Sequence, residues 1–253
     1  MNALIRAELL KLRTTRMLPW LLLATLALVV VTVAANIASA DPDDVALPLH
    51  DPALLGRVIG LSFGVPQVLV TVLGVLAFTQ EVRYGTITST FLVEPRRSRI
   101  LVAKAVALVL SAVVIAAATL GVSVALSMAL IGAKDGNVTT GGQFWQIVAA
   151  VFVAMVLYGL IGLALGALLR DQIVAVTATL VWLGPAEHLL IDALPEVGRW
   201  TPGGATFGLL QLGPALSENG TLLHAAVGGL LLLGYTITAA ALALTVAPRR
   251  DVL

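Results

Sequence analysis

Residues 144–169 read FWQIVAAVFVAMVLYGLIGLALGALL, from Phe144 to Leu169, without one Asp, Glu, Lys or Arg. A helix needs about 20 mostly apolar residues to cross a bilayer, so this stretch is long enough to span one. Five further segments share the property: 17–40, 58–78, 105–131, a segment beginning at Ile173, and 222–246. None alternates apolar and polar residues with a period of two, which argues against a membrane barrel. The first is longer than the apolar core of a signal peptide and lacks clear cleavage-site chemistry. Of the 253 residues, 59% are hydrophobic and 11% charged, and the mean hydropathy is +1.01. A soluble domain carries roughly 45–50% and 25%. The expected fold is therefore all-α: one polytopic membrane domain over residues 1–253 with six spans.

Six spans put both termini on one side. That side holds Arg6, Lys11, Arg13, Arg16, Arg83, Arg96, Arg97, Arg99, Lys104, Arg170, Arg249 and Arg250, twelve basic residues, against Arg57, Lys134 and Arg199 on the other. Positive residues stay cytoplasmic, so both termini are expected on the cytoplasmic side of the cell membrane. Nine of the acidic residues, among them Asp41, Asp51, Glu187 and Asp192, fall outside. Trp20 and Trp145 lie where interfacial aromatic anchors belong.

The absences narrow the function. No cysteine is present, which excludes disulfides, Cys-based zinc sites and thiol catalysis. Spans one to four and six hold no charged residue, which argues against an ion-coupled transporter. No phosphate-binding GxxxxGK[ST] loop and no HExxH or GxSxG motif occurs. Glu187, His188 and Asp192 are close in sequence but read as solvated groups rather than metal ligands. The chain is expected to perform no covalent chemistry, to carry no cofactor and to have no nucleic-acid partner. Uphill movement of a solute would need energy from another polypeptide.

The loop at 79–99 is the most informative stretch. Gly85 can end the second span's helix. Thr86 can then cap one or two turns that finish before Pro95. Within those turns Ile87, Phe91 and Leu92 can form an apolar ridge, followed by Arg96, Arg97 and Arg99. Such a helix suits a groove in a soluble subunit. By physics alone it suits equally an interfacial helix that only anchors the loop.

Here the pattern Glu81-x-x-x-Gly85-Thr86, then Pro95-x-x-Ser98-Arg99 and Lys104, resembles the coupling region of type-2 ABC exporter permeases. These are the membrane subunits of ATP-binding-cassette exporters, common in bacteria. The stretch Arg6-Ala7-Glu8-Leu9-Leu10-Lys11-Leu12-Arg13 is similar to that family's amphipathic interfacial helix, here 2–14. The resemblance implies a permease paired with a second copy or paralogue. It also implies two ATPase subunits, which would hold ATP and magnesium. Residues Gly85 to Leu92 would carry the ATPase's motion to the spans, and Glu81 and Arg83 would bridge charges on that partner. Leu4, Ile5, Leu9 and Leu12 would face lipid while Arg6 and Arg13 reach for headgroups.

Gly56, Gly60 and Gly64 lay small residues on one face of span two, and Gly159, Gly162 and Gly166 do so in span four; close packing within one subunit is the favoured reading. Pro66 is expected to kink span two. Only about a dozen residues run from Ile173 to Gly184-Pro185, about 18 Å against a hydrocarbon core of about 30 Å, so span five reads as short. The outer segment 184–221, with its apolar run at 205–212, reads as a re-entrant, broken hairpin. Ser62, Gln67, Thr177 and Thr179, on spans two and five, are candidate polar contacts of a substrate path, though such groups equally serve as interhelical hydrogen bonds. The leading reading is a permease subunit of an ATP-binding-cassette exporter. The alternatives are a channel, which would need a continuous polar stripe, or a scaffold that docks a partner without ATPase activity.

Overall fold

The computed structural model describes residues 1–40, 48–87, 90, 92, 96–212 and 222–246, with the side chain of Arg97 not described. Among them there is no β-strand. Helix α1 (Asn2–Thr14) leads through Arg16, whose φ of 54° turns the chain sharply, into α2 (Met17–Ser39). Span two is built from α3 (Leu54–Leu61) and α4 (Gly64–Arg83). The long α5 (Arg97–Ala133) and α6 (Gly142–Leu169) follow. Then come α7 (Gln172–Val181), a π-helical turn over Trp182–Ala186, and α8 (Glu187–Ala193). The short α9 (Pro195–Gly198) and α10 (Pro202–Leu209) precede α11 (Ala225–Val246). Six helical segments are long and apolar enough to cross a membrane.

Two breaks differ from the sequence-based expectation. Span two interrupts at Ser62–Phe63, ahead of Pro66, and Phe63 N–H donates to Gly60 rather than one residue further back (3.2 Å). Pro66 thereby falls in the first turn of α4, where its missing N–H costs no helical hydrogen bond. Span five is not short. Gly184, with a non-helical ψ of −106°, and Pro185 are absorbed by the π turn, and the helix continues to Ala193. The span Gln172–Ala193 has 22 residues, about 33 Å at 1.5 Å per residue. Residues 184–193 of the expected outer segment thus belong to span five. Helices α9 and α10 follow, and 213–221 lie outside the described residues.

Helix α6 is the hub, packed against α4, α5, α11 and α3. The seam between α4 and α6 shows why α6 carries glycines three and four residues apart. A Cβ on Gly162 would land on the carbonyl of Thr71, one on Gly74 on the carbonyl of Gly159, and one on Gly166 would come within 2.7 Å of Val75 O. Two backbones meet at these points with no room for a side chain, the small-residue contact that replaces hydrophobic drive in lipid. Gly56 and Gly60 also pack inside the subunit, against Ile147 and Leu212, whereas Gly64 faces open space.

Helix α10 leans on α11 and is joined to α6 by a hydrogen bond between the Tyr158 and Thr206 hydroxyls at 3.0 Å. Helix α1 packs on α5. Its Leu12 is buried in the core and Leu9 packs against that core, so these two leucines face protein, not the expected lipid. The amphipathic stripe is used to dock the helix on the bundle.

Candidate functional site

Four charged side chains from three helices converge where α4 ends and α5 begins. Lys104 Nζ, on α5, donates to Glu81 Oε1 (2.7 Å) on α4, to Glu8 Oε2 (2.7 Å) on α1 and to the Ala77 carbonyl (3.2 Å). Lys11 Nζ, on α1, donates to Glu81 Oε1 (2.7 Å) and Glu8 Oε1 (2.8 Å). Two carboxylates and two ammonium groups neutralise one another, and Lys104, Glu8 and Glu81 are all buried. Burial works against the Lys11 charge, but the hydrogen bonds and charges of Glu8 and Glu81 outweigh it and hold its pKa above the ordinary lysine value. A cavity of about 430 Å³ opens beside this knot, with Gln80, Tyr84, Thr86 and Thr90 on its wall.

The expected coupling turn begins just beyond. Tyr84 closes α4, and Gly85 takes φ +68°, the left-handed region that glycine enters without a Cβ penalty. Thr90 N–H then donates to Thr86 O (3.2 Å), which puts Thr86 at the N-cap of the next turn. Ile87, Thr90 and Leu92 are helical; Phe91 and Pro95 lie outside the described residues.

Two expectations for this loop are corrected. Glu81 does not face outward to bridge a partner's charges, because Lys104 and Lys11 hold its carboxylate inside the chain; the neighbouring Arg83 is exposed. Ile87 and Leu92 do not share a ridge. Ile87 is 4% exposed and belongs to the core, while Leu92 is 81% exposed. One side chain anchors the turn and the other projects from it.

Of the four path candidates, the structure brings Gln67 to a large cavity and Ser62 only to a small one of about 10 Å³. Gln67 lines a space of about 440 Å³ bounded by α2, α4, the π turn, α8 and α10. Ser62 sits buried at the break in span two and accepts a hydrogen bond from Asn36 Nδ2 at 3.3 Å. Thr179 is buried with its hydroxyl returned to the Ala175 carbonyl at 2.8 Å, and Thr177 is exposed on α7.

Glu187 was not legible as a site residue. It reads as a solvated outer carboxylate, yet it is buried at 2% exposure, lines the same cavity, and accepts the Gly203 N–H at 2.6 Å. The signal lay in the neighbourhood of its donor, Gly203. Thr201-Pro202-Gly203-Gly204 is a helix start, with Thr201 capping the Gly204 N–H (3.2 Å) and Pro202 in the first turn. The free N–H groups of such a start favour a carboxylate.

These features, six spanning helices with a charged knot and a projecting turn at one end, belong to a membrane transporter component. Residues 4–184 match the family described as ABC-2 family transporter protein, and the chain belongs to that family. It is a multi-pass membrane protein and a permease component of an ABC transporter. No curated protein matches the chain.

Proposed function

We propose that the chain is the permease subunit of an exporter in the cell membrane, paired with a second permease and driven by two ATP-binding-cassette subunits that hold ATP and magnesium. The end bearing α1 and the Gly85 turn faces the cytoplasm, as the excess of basic residues there favours. The observation that carries this reading is the join between turn and spans. Leu92 projects from a turn whose Ile87 is locked in the core and whose base is clamped by the Glu81–Lys104 pair. A displacement applied to Leu92 would pass through this anchored base to spans two and three together. The path follows spans two and five, where Gln67 meets the cavity, and ATP binding below would rock these spans.

The test is co-purification followed by transport. The affinity-tagged full chain, co-expressed with the ATP-binding-cassette proteins of its own genome, is expected to retain one of them in detergent. Leu92→Asp should reduce the retained ATPase about tenfold, since it places a charge on the projecting apolar contact. Gly85→Ala should leave binding but slow coupled transport, because alanine at φ +68° costs about 1–2 kcal/mol. Uphill transport by the chain alone in liposomes would overturn the reading.

A further inference from the structure

The three buried carboxylates in the described chain fall into two kinds. Glu8 and Glu81 each meet lysine ammonium groups at 2.7–2.8 Å. Glu187 is buried as deeply but forms no ion pair among the described residues; it accepts the Gly203 N–H at 2.6 Å, with the Thr201 and Trp182 side chains as further hydrogen-bond partners and His188 beside it. An ionisable group inside a membrane span is expensive to keep charged without a counter-ion, and such groups mark ligand or ion pathways. Glu187 also sits on the wall of a cavity. The space of about 440 Å³ lies within the range of small-molecule pockets, and its lining is mainly apolar, including Leu28 and Val68. Its polar groups are few: the Gln67 amide, Glu187, and His188, whose Nδ1–H donates to the Gly184 carbonyl at 2.7 Å. Phe207 adds an aromatic ring, packed edge-on to His188 at 6.1 Å between centroids.

We infer that this cavity binds a lipophilic cation, with apolar bulk against Leu28 and Val68 and the positive centre held by the Glu187 carboxylate and the Phe207 ring. An apolar wall with one unneutralised carboxylate and one aromatic face complements that class of molecule and disfavours anions of the same shape. The inference rests on the transport reading for its biological meaning, because the cavity touches spans two and five. The binding itself needs no ATPase.

The test uses tetraphenylphosphonium and tetraphenylborate, ions of nearly the same shape and opposite charge. Radiolabelled tetraphenylphosphonium is equilibrated with the purified full chain in detergent, with protein-free micelles subtracted. Saturable binding is expected, with tetraphenylborate competing at least about tenfold less well. Glu187→Gln keeps the acceptor for Gly203 and should weaken tetraphenylphosphonium about tenfold without lowering the melting temperature. Val68→Trp fills the cavity from the α4 side, leaves Glu187 in place, and should remove the binding. Equal competition by the two ions, or undiminished binding in both variants, would overturn the inference. Binding without ATPase co-purification would leave the site standing and sink the ATPase-driven exporter reading; co-purification without binding would do the reverse.

Discussion

Lys104 Nζ lies 2.7 Å from Glu81 Oε1, although the two residues are 23 positions apart and the Gly85 turn runs between them. The pair closes the base of the loop that projects Leu92. The same two side chains reach α1 through Lys11 and Glu8. The N-terminal helix, the end of span two and the start of span three are thus held as one body.

Removing Lys104 should be far more damaging than removing Lys11. Lys104→Met strands two buried carboxylates on one remaining partner, and breaking a buried pair costs about 3–5 kcal/mol. The Lys11 side chain is 44% exposed, so Lys11→Met should cost no more than about 1 kcal/mol. A double-mutant cycle of Lys104→Met with Glu81→Leu, read by thermal unfolding in detergent, should show a double variant less destabilised than the two singles added together. The raised pKa of Lys11 means its share is fully present below the ordinary lysine pKa. It is lost only as pH rises through the folded-state value, so wild type and Lys11→Met should converge only in strongly alkaline solution.

Two glycines, one from each small-residue pattern, should respond in opposite ways. Gly162→Ala drives a methyl group into the Thr71 carbonyl, which is backbone and cannot step aside. A loss of about 1–3 kcal/mol or more is expected, seen as poor recovery of monodisperse protein. Gly64→Ala meets nothing within 4 Å and should leave the melting temperature unchanged or slightly raised.

At the opposite end of the bundle, Lys134 Nζ donates to the carbonyls of Ile37 (2.7 Å), Ala38 (3.2 Å) and Ala40 (3.1 Å), capping α2 from the end of α5. Lys134→Met should cost about 1.5–3 kcal/mol, the worth of hydrogen bonds from a charged donor. Hydrogen exchange should show faster opening of the last turn of α2 while the amides of α6 keep their protection; Lys134→Arg should restore part of it.

The number of spans, their all-helical character and the helix stop at Gly85 were legible in the sequence. Each depends on residues within one segment: the length of an apolar run, or a glycine free to take positive φ. The site was legible only in part. Thr86 capping its turn follows from local chemistry, but the outward role given to Glu81 did not survive, since Lys11 lies 70 positions away and nothing in the loop announces it. The reading of Gly184-Pro185 as the end of span five failed because a π turn can carry a proline that an α-helix rejects.

Hydropathy summed along the chain, then, determined that the described residues hold six segments long and apolar enough to cross a membrane, and the absence of a phosphate loop set the expectation that its power comes from elsewhere. Only packing decided that Ile87 turns inward while Leu92 turns out, that two lysines claim Glu81, and that Glu187 is buried beside a cavity. Spanning is a property of a single segment's transfer into lipid. The partner of a charge is set by which helices pack together, as where α1 docks on α5 beside the end of α4, and that information is spread over residues far apart in the chain.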